Sequence, residues 1–535
     1  MPLIVCALIA AVFAPVVGYE FVWDDGNLIA HNPWLDWWST GWRALSSDFW
    51  MLSRVPHQSG MYRPLVIQSY WAEVLLAGRN PAHFHLVNLG LHLANASLLW
   101  ALSRRLGAGT VPAALAMAAF GLHPATVDAV ANVCSRTDLL ALTGILAGST
   151  LWLSPGRLRW WAPLPLLLGM LSKETALVGP ALAIALGAFC RPEERWPRLL
   201  YPALSWLPAL WLRQLAIAGS LPREAFDWRV PGTRSLAYLG RLVWPSLVSP
   251  LRPAPVPSAW AAISGLAALA LALVPSSTPR APRALRAGGL LLVLGLLPVL
   301  EIVPVGARFS DLLIYIPLAG AALVLAATPP RIAVVLGATI LPIFALSTAR
   351  HLPIWSTNLR LWSHMVEHGP GDPTAQLNYA NAIKASGDRA RACGMLPGIV
   401  ALAHTAADTD IQVRALFNLG NCHRESAAHD EALAAYGRAL ELSRSAFLPA
   451  RINQVASLQA LGRLEEAVER ATVLTVEHPQ RGDFWQLLGA TLASRGLYRD
   501  ALQAFEHALE IDPDDSESLR MAALAAELLE QQTPE

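Results

Sequence analysis

Long apolar runs without a charged side chain dominate the first 350 residues of the chain. Short polar segments separate eleven such runs, at residues 2–18, 80–103, 106–127, 139–156, 160–172, 175–190, 199–212, 258–279, 287–300, 312–330 and 332–349. A helix needs about 20 apolar residues to cross the hydrocarbon core, and shorter runs cross when flanking side chains reach the interface. We therefore predict an all-α, polytopic membrane protein with about eleven spans.

Composition agrees with this fold class and excludes one class of partner. Of the 535 residues, 54% are apolar and only 15% are charged, which is less charge than a soluble domain carries. The formal net charge of +1 offers no basic face for a phosphate backbone, so we exclude nucleic acid as a partner. The five cysteines share no close spacing, and they predict neither a zinc site nor a disulfide framework.

The positions of the arginines predict the orientation of the spans, because short cytoplasmic loops collect basic residues. The first run lacks a basic leader, so we interpret it as a retained span rather than a signal peptide. If the spans alternate from a cytoplasmic start, and residues 236–251 lie along the outer face, the arginine-rich loops share the cytoplasmic side. The acidic segment at 24–25 and everything after residue 350 then lie outside.

After residue 370 the chain changes to charged, alanine-rich helices with an internal repeat. The last copy has the spacing of a tetratricopeptide repeat, with Trp485, Leu488, Gly489, Gly496, Ala501, Phe505, Ala508 and Pro513. Copies begin near 413, 448 and 482, and a weaker copy begins near 373. Such repeats stack into a solenoid whose concave face binds an extended peptide; a stability or spacing module is the alternative.

These patterns divide the chain into three parts. Residues 1–350 are predicted to form the transmembrane domain, with a first outer loop at 19–79. Residues 351–372 are predicted to be a linker, and residues 373–530 a solenoid of about four repeats.

Two adjacent carboxylates, Asp24 and Asp25, follow the first apolar run directly. An ionisable group beside a membrane span is costly and is therefore a functional hypothesis by default. We interpret the pair as the base that takes a proton from an acceptor hydroxyl. A solvated loop start or a helix N-cap is the alternative.

Two cations begin apolar runs on the same predicted side, Arg136 and Lys173. We interpret them as contacts for the phosphate of a lipid-linked sugar donor. The alternative is an interfacial ion pair or cap, for Lys173 with Glu174. A base facing the acceptor and cations facing the phosphate would displace the phosphate from C1 of the sugar with inversion.

A polar stripe and a cluster of tryptophans have simpler interpretations. His85, Asn88, His92 and Asn95 fall on one face of the second span, a pattern that predicts hydrogen bonds between helices. The tryptophans of the first outer loop are typical of an interfacial aromatic belt, although one or two of them would also serve to stack a sugar.

Several of these segments together resemble a known family. They are "FVWDDGNLIAHNPWL", "YRPLVIQSYW", "FHLVNLGLHLANASLLWALSRRLG", "HPATVDAVANVCSRTDLLAL", "LSKETALVGPALAI", "SDLLIYIPLAG" and "WSTNLRLWSHMVEHGPGDPTAQLNYANA", followed by the repeats. In this order they resemble the TMTC family of O-mannosyltransferases and its bacterial relatives. The resemblance covers nearly the whole chain. It implies a GT-C glycosyltransferase fold in a bacterial inner membrane, with the repeats in the periplasm.

The resemblance also implies substrates. The expected donor is a polyprenyl-phosphate sugar, and the expected acceptor is a protein or glycan hydroxyl on the periplasmic face, with a peptide held by the repeat groove. A non-catalytic membrane scaffold for envelope assembly and a lipid-linked oligosaccharide ligase are the alternatives. No recognised metal-ligand motif includes Asp24, Asp25 or His123, so we expect transfer without a metal; assistance by a divalent ion is the alternative.

Site residues follow from the same resemblance. It makes Asp24 the base with Asp25 beside it, and it makes Arg136 and Lys173 donor-phosphate contacts. Further matches or near matches to the family motifs are Arg63 and His123 as substrate-binding residues, Asp311 as another, and Arg308 as a donor-phosphate contact. Where relatives have an arginine in a Glu-Arg-Tyr-Leu segment, this chain has Leu312 after Asp311, and Arg308 lies about one turn earlier.

Overall fold

The computed structural model describes residues 1–217, 227–243, 255–302 and 310–532. These residues form helices, turns and loops, and no strand occurs among them. The chain divides into two compact units, Met1–Met365 and Val366–Glu535. The all-α class predicted from the sequence is confirmed.

The first unit contains most of the apolar helices. In chain order they are α1 Pro2–Phe13, α2 Thr40–Arg43, α3 Pro64–Ala77, α4 Pro81–Arg105, α5 Thr110–Leu122, α6 Val127–Ala131, α7 Arg136–Trp152, α8 Pro163–Met170, α9 Val178–Cys190, α10 Trp196–Leu199, α11 Trp206–Ala216, α12 Arg229–Val243, α13 Ala259–Leu273, α14 Arg283–Leu296, α15 Tyr315–Leu325, α16 Pro330–His351 and α17 Asn358–His368. Local signals explain several of the boundaries. The side chain of Asn80 accepts a hydrogen bond from the Ala82 N–H and Pro81 occupies the first turn, so α4 begins there.

Fewer helices than predicted are long enough to cross a bilayer. Among the described residues three qualify by length and composition, at Pro81–Arg105, Ala259–Ser277 and Pro330–Trp355, and a fourth if the pair Thr110–Leu122 and Pro124–Ala131, bent by 54°, counts as one span. The number of about eleven is therefore not confirmed. The predicted run at 160–172, for example, forms the eight-residue helix α8.

Close helix packing in this unit depends on small residues. A Cβ atom on Gly320 of α15 would lie 2.3 Å from the backbone nitrogen of Leu292 in α14. On Gly288 of α14 it would lie 2.7 Å from the backbone nitrogen of Val324. The two helices thus approach to backbone contact, as small residues permit between membrane helices.

The polar stripe on α4 makes the hydrogen bonds between helices that the sequence predicts. The ring of His92 contacts the Tyr315 hydroxyl at 2.9 Å, and the amide of Asn95 donates to the Leu139 carbonyl at 2.9 Å. Asn88 donates to the Asn132 carbonyl at 3.2 Å. The structural interpretation of the stripe is confirmed, and α4 connects to both α7 and α15.

The first outer loop has its own small core. Short helices and α3 bury a set of apolar side chains, which are Leu28, Ile29, Leu35, Phe49, Leu52, Val66, Ile67 and Tyr70. Val133, which follows α6, belongs to the same cluster. Because this core includes Val133, the loop is packed against the segment that begins α7. The tryptophans divide between two environments, since Trp37, Trp38 and Trp42 are exposed while Trp23, Trp34 and Trp50 are half-buried.

The second unit is a stack of helix pairs. Its helices are α18 Pro373–Ala385, α19 Arg389–Thr405, α20 Thr409–Glu425, α21 His429–Leu442, α22 Leu448–Ala460, α23 Leu464–Glu477, α24 Gly482–Ser494, α25 Tyr498–Ile511 and α26 Ser516–Gln532. Glycines at equivalent repeat positions admit an aromatic ring from the next helix. A Cβ atom on Gly420 would meet the Tyr436 ring at 2.4 Å, and one on Gly489 would meet the Phe505 ring at 2.7 Å.

One expectation about the cysteines is wrong. Cys393 of α19 and Cys422 of α20 form a disulfide, with Cα atoms 5.9 Å apart. The two residues are 29 positions apart in sequence, and the antiparallel packing of successive helices brings them together. Spacing alone did not reveal this pair, because the pairing depends on the repeat fold. Cys6, Cys134 and Cys190 are free thiols.

Candidate active site

Asp25 fixes the acidic loop to the start of α7. Its side chain is fully buried, one carboxylate oxygen accepts the Val22 N–H at 3.1 Å, and the other accepts the Cys134 N–H at 2.8 Å. Burial raises the pKa of Asp25 to about 6, although the hydrogen bonds from Cys134 and Val22 oppose that rise. The carboxylate is therefore held on both sides by the protein itself.

Asp24 is the more accessible member of the pair. It is half-buried, and its backbone carbonyl accepts the N–H groups of Asn27 and Leu28. Burial, followed by the charges of Asp25 and Asp24, raises the pKa of the Cys134 thiol well above its ordinary value. Both carboxylates therefore lie near Cys134, and Asp24 is the one with an exposed face.

Arg136 lies at the centre of a buried network. Its guanidinium forms an ion pair with Glu73 at 2.6 Å and donates to Asn88 at 2.9 Å, to the Phe84 carbonyl at 3.1 Å and to Ser69 at 3.3 Å. The guanidinium also lies over the rings of Tyr70 and Phe84. A guanidinium has five N–H donors, and four protein acceptors already occupy this one. The arrangement favours a role in holding α3 against α7.

Lys173 pairs with Asp138, not with its sequence neighbour Glu174. The ammonium lies 2.6 Å from a carboxylate oxygen of Asp138, and both side chains are buried. An ammonium has three N–H donors, and among the described residues one of them is used, by Asp138, which leaves two for another acceptor. Lys173 therefore combines a buried, fixed position with remaining capacity to donate hydrogen bonds.

Arg63 forms an ion pair with Glu174, the acidic residue next to Lys173 in the sequence. Its guanidinium contacts Glu174 at 3.1 Å, and the same carboxylate accepts the Tyr62 N–H at 3.0 Å. Arg63 lies directly before α3, and Glu73 lies in its second half. Two ion pairs therefore hold this helix, one through the cation of Arg63 and one through the anion of Glu73. The outer loop is thereby attached to the starts of two apolar segments.

His123 occupies the bend between α5 and the short helix that follows. One ring nitrogen accepts the Ala125 N–H at 3.1 Å, and the other faces the Leu242 carbonyl at 3.3 Å. Both nitrogens are thus engaged by backbone groups. A metal-binding or substrate-binding role for His123 would require one of these bonds to break.

Two predicted residues cannot be assigned contacts. Arg308 lies outside the described residues, and so does the side chain of Asp311. The backbone of residue 311 begins a 3-10 helix that ends at Ile314. Their proposed contacts with the donor and substrate remain predictions.

Sequence reasoning did not select Glu73 or Asp128. Glu73 is the one acidic residue in α3. A single carboxylate in an apolar helix indicates that a cation from another element forms an ion pair with it. Asp128 is buried, and its carboxylate accepts the Ser135 hydroxyl at 3.1 Å and the Asn132 amide at 3.4 Å. Asp25 accepts a hydrogen bond from Cys134 in the same segment, so carboxylates from two parts of the chain bind the residues just before α7.

The second unit contains a cavity of about 470 Å³ among α19, α20 and α21. Apolar walls from Pro397, Val400 and Leu419 alternate with polar groups from Arg438 and Glu441. Among α18, α20 and α22, which are the first helices of successive pairs, Asn418 donates to Asn381 at 2.9 Å and Asn453 donates to Asn421 at 2.7 Å. Repeats of this kind bind peptides or proteins.

Comparison with known proteins finds one repeat family and several similar proteins that share one family name. The tetratricopeptide repeat family matches residues 413–445 and 482–515. "Protein O-mannosyl-transferase Tmtc2" of Drosophila melanogaster is 32% identical over 185 residues, which cover 32% of this chain and 20% of that protein. "Protein O-mannosyl-transferase TMTC1" of Homo sapiens is 33% identical over 127 residues, 23% of this chain and 14% of that protein. The alignment thus spans about a fifth or less of these two relatives' length, and it confirms the resemblance to the TMTC family.

Solved structures match this chain at low TM-scores. The crystal structure of MamA protein has 20% sequence identity and a TM-score of 0.26, and it covers 30% of this chain and 83% of its own. YrrB, described as a TPR protein with an unusual peptide-binding site, has 19% identity and a TM-score of 0.21, with 30% of this chain and 96% of its own covered.

Proposed function

We propose that this chain is an integral membrane glycosyltransferase of the TMTC type, with a GT-C fold. It moves a sugar, expected to be mannose or a similar hexose, from a polyprenyl-phosphate donor to a protein or glycan hydroxyl on the periplasmic face. The observation that carries the proposal is the bond between Asp25 and the Cys134 N–H, which fixes the acidic pair beside the cation-bearing start of α7. The names of the curated relatives support the same reaction class.

Asp24 acts as the base in this proposal. The acceptor oxygen attacks C1 of the sugar, its proton passes to the Asp24 carboxylate, and the bond between C1 and the phosphate oxygen breaks. Polyprenyl phosphate leaves with the electron pair of that bond. Attack from the side opposite the phosphate inverts the anomeric centre. Asp25, which is buried with both oxygens engaged, holds the loop in place.

Lys173 is the better of the two described candidates for the donor phosphate. Within the part of the chain that the structure describes, its contact with Asp138 leaves two N–H donors, whereas the donors of Arg136 are distributed over four protein acceptors. We therefore propose that Lys173 stabilises the departing phosphate. Arg136 has a positioning role, because it holds α3 against α7.

A periplasmic location of the repeats has independent support. The disulfide between Cys393 and Cys422 is of a kind that persists in oxidising compartments and is rare in the cytosol. This agrees with the arginine pattern, which puts the repeats and the acidic loop on one side. An acceptor peptide bound by the repeats would then reach the loop without crossing the membrane.

Complementation of a gene deletion tests the proposal in cells. Envelope proteins and glycans of a deletion strain are compared by mass spectrometry after expression of the wild type, Asp24→Asn or Asp36→Asn. Asp36 is an exposed aspartate of the same loop that pairs with Arg79, so its variant is a matched control. We expect the wild type and Asp36→Asn to restore a single-hexose modification and Asp24→Asn to fail.

Other outcomes would identify the alternatives. Restoration by Asp24→Asn would exclude the proposed base and favour a scaffold. Transfer of a preassembled oligosaccharide in place of one hexose would indicate a ligase.

A further inference from the structure

Trp23, directly before the acidic pair, has an unusual backbone conformation. Its φ angle is 55°, in the left-handed region that bulky L-residues rarely adopt. Such a conformation persists only where the surrounding structure enforces it, and it is found preferentially at functional sites. The next residue is Asp24, so the geometry at Trp23 sets the direction in which the Asp24 side chain leaves the backbone.

The segment at the beginning of α17 enforces this conformation by hydrogen bonds. The Trp23 N–H donates to the side-chain oxygen of Asn358 at 2.9 Å, and the amide of Asn358 donates to the Phe21 carbonyl at 3.4 Å. The Glu20 N–H donates to the Ser356 carbonyl at 3.2 Å. Three hydrogen bonds thus join residues 20–23 to a segment more than 330 residues away.

Aromatic rings complete the contact. The Trp23 ring stacks on Trp355, with centroids 6.2 Å apart, and meets the edge of Trp362 at 5.3 Å. Both partner rings are buried, with 2% and 3% of their surface exposed. The stack restricts the side chain of Trp23, while Asn358 restricts its backbone. The part of the chain that the sequence predicts to be a linker therefore holds the residue next to the acidic pair.

We propose that Asn358 is a positioning residue for the Asp24 carboxylate. It accepts the Trp23 N–H, stabilises the left-handed backbone at that residue, and so fixes the orientation of Asp24 towards the acceptor hydroxyl. The inference rests on the proposed function, in which Asp24 is the base. Asn358 touches neither substrate nor donor in this role, and acts only through Trp23.

The test compares three variants of the full chain in lipid nanodiscs. Asn358→Ala removes the acceptor for Trp23. Asn358→Asp keeps an oxygen acceptor for the Trp23 N–H and replaces the weaker donor to the Phe21 carbonyl with an oxygen. Ser356→Ala is the matched control, because its contact with Glu20 is made by the backbone and survives the change. Rates are measured with polyprenyl-phosphate mannose on the high-pH plateau, where the carboxylates are ionised.

We expect Asn358→Ala to lower kcat by about 10- to 100-fold, since a small misplacement of a reacting group has effects of this size. The KM for the donor should stay within about twofold, because the phosphate contacts are elsewhere. Asn358→Asp should keep kcat within about threefold of the wild type, and Ser356→Ala should equal it. A merely structural role predicts instead that kcat and KM change together, in parallel with thermal stability.

Hydrogen exchange supplies a readout that needs no activity. In Asn358→Ala the amide of Trp23 should exchange about two- to tenfold faster, the range expected for one lost hydrogen bond. An unchanged exchange rate, or a wild-type kcat in Asn358→Ala, would overturn the inference. A wild type that transfers no sugar would overturn the proposed function instead, and the exchange comparison would still decide whether Asn358 holds Trp23.

Discussion

The buried carboxylate of Asp25 should make the stability of the first unit depend on pH. Its pKa is about 6 in the folded protein, against an ordinary value of 3.8. The folded state therefore binds this proton more tightly than the unfolded state does. The contribution to stability is full below pH 3.8 and is lost as the pH rises through about 6. Since each pKa unit is worth about 1.4 kcal/mol, the loss amounts to about 3 kcal/mol.

Asp25→Asn isolates this contribution, because the amide does not titrate. One oxygen of the new side chain can still accept the Cys134 N–H, while the Val22 N–H loses its partner. The variant should be less stable than the wild type at pH 4. The difference should then shrink by about 2.5 kcal/mol between pH 4 and pH 7, because more than half of the unfolded carboxyl is already ionised at pH 4.

Thermal unfolding in nanodiscs, followed by tryptophan fluorescence at pH 4 to 8, measures this difference. Asp36→Asn is the control, since Asp36 is exposed and should leave the pH dependence of the wild type intact. Stability curves that run parallel for the wild type and Asp25→Asn would show that the Asp25 carboxyl does not titrate between pH 4 and pH 8. The predicted contribution of Asp25 to the pH dependence would then be wrong.

Lys173, the Glu73–Arg136 ion pair and the location of the repeats can each be tested separately. Lys173→Arg keeps the charge but misplaces it in a confined position, so donor use should fall tenfold or more, as expected for a lost charge-assisted hydrogen bond; normal donor kinetics would remove Lys173 from the site. Glu73→Gln leaves the buried guanidinium of Arg136 without its countercharge and should cost about 3 to 5 kcal/mol of stability in thermal unfolding, whereas wild-type stability would show that the pair is dispensable. A reporter fused after residue 535 should be active as alkaline phosphatase and dark as cytoplasmic green fluorescent protein; the opposite pattern would place the repeats in the cytoplasm.

The sequence predicts the features of this protein that depend on local periodicity. Gly420 and Gly489 mark repeat positions where an aromatic ring enters, and both recur at the expected spacing. The stripe that includes His92 and Asn95 follows from the pitch of one helix, so its face and its interhelical role could be predicted.

Partner choice in the site could not be predicted in the same way. Adjacent residues suggested a pair between Lys173 and Glu174, yet the ammonium contacts Asp138 and the carboxylate contacts Arg63. Neighbouring side chains at the start of a helix point in different directions, and their partners come from elements distant in sequence. Asn358, which lies in the predicted linker, was missed for the same reason.

The number of spans depends on where helices end in three dimensions. Composition marks apolar runs, but prolines and turns divide several of them, as at the bend between His123 and Pro124. A charge-free run is therefore evidence of a buried or lipid-facing segment, and a crossing needs the additional observation of an unbroken helix.

Sugar transfer by Asp24 can be measured directly on the purified protein. The purified chain in nanodiscs is incubated with polyprenyl-phosphate mannose and an envelope protein extract, and both the released polyprenyl phosphate and the mass of the acceptor are followed. We expect one released polyprenyl phosphate for each hexose gained by the acceptor, with inverted anomeric configuration. We also expect that Asp24→Asn slows both by about 10²- to 10⁴-fold while Asp36→Asn leaves them unchanged. Equal transfer by wild type and Asp24→Asn, or no transfer by the wild type, would contradict this expectation.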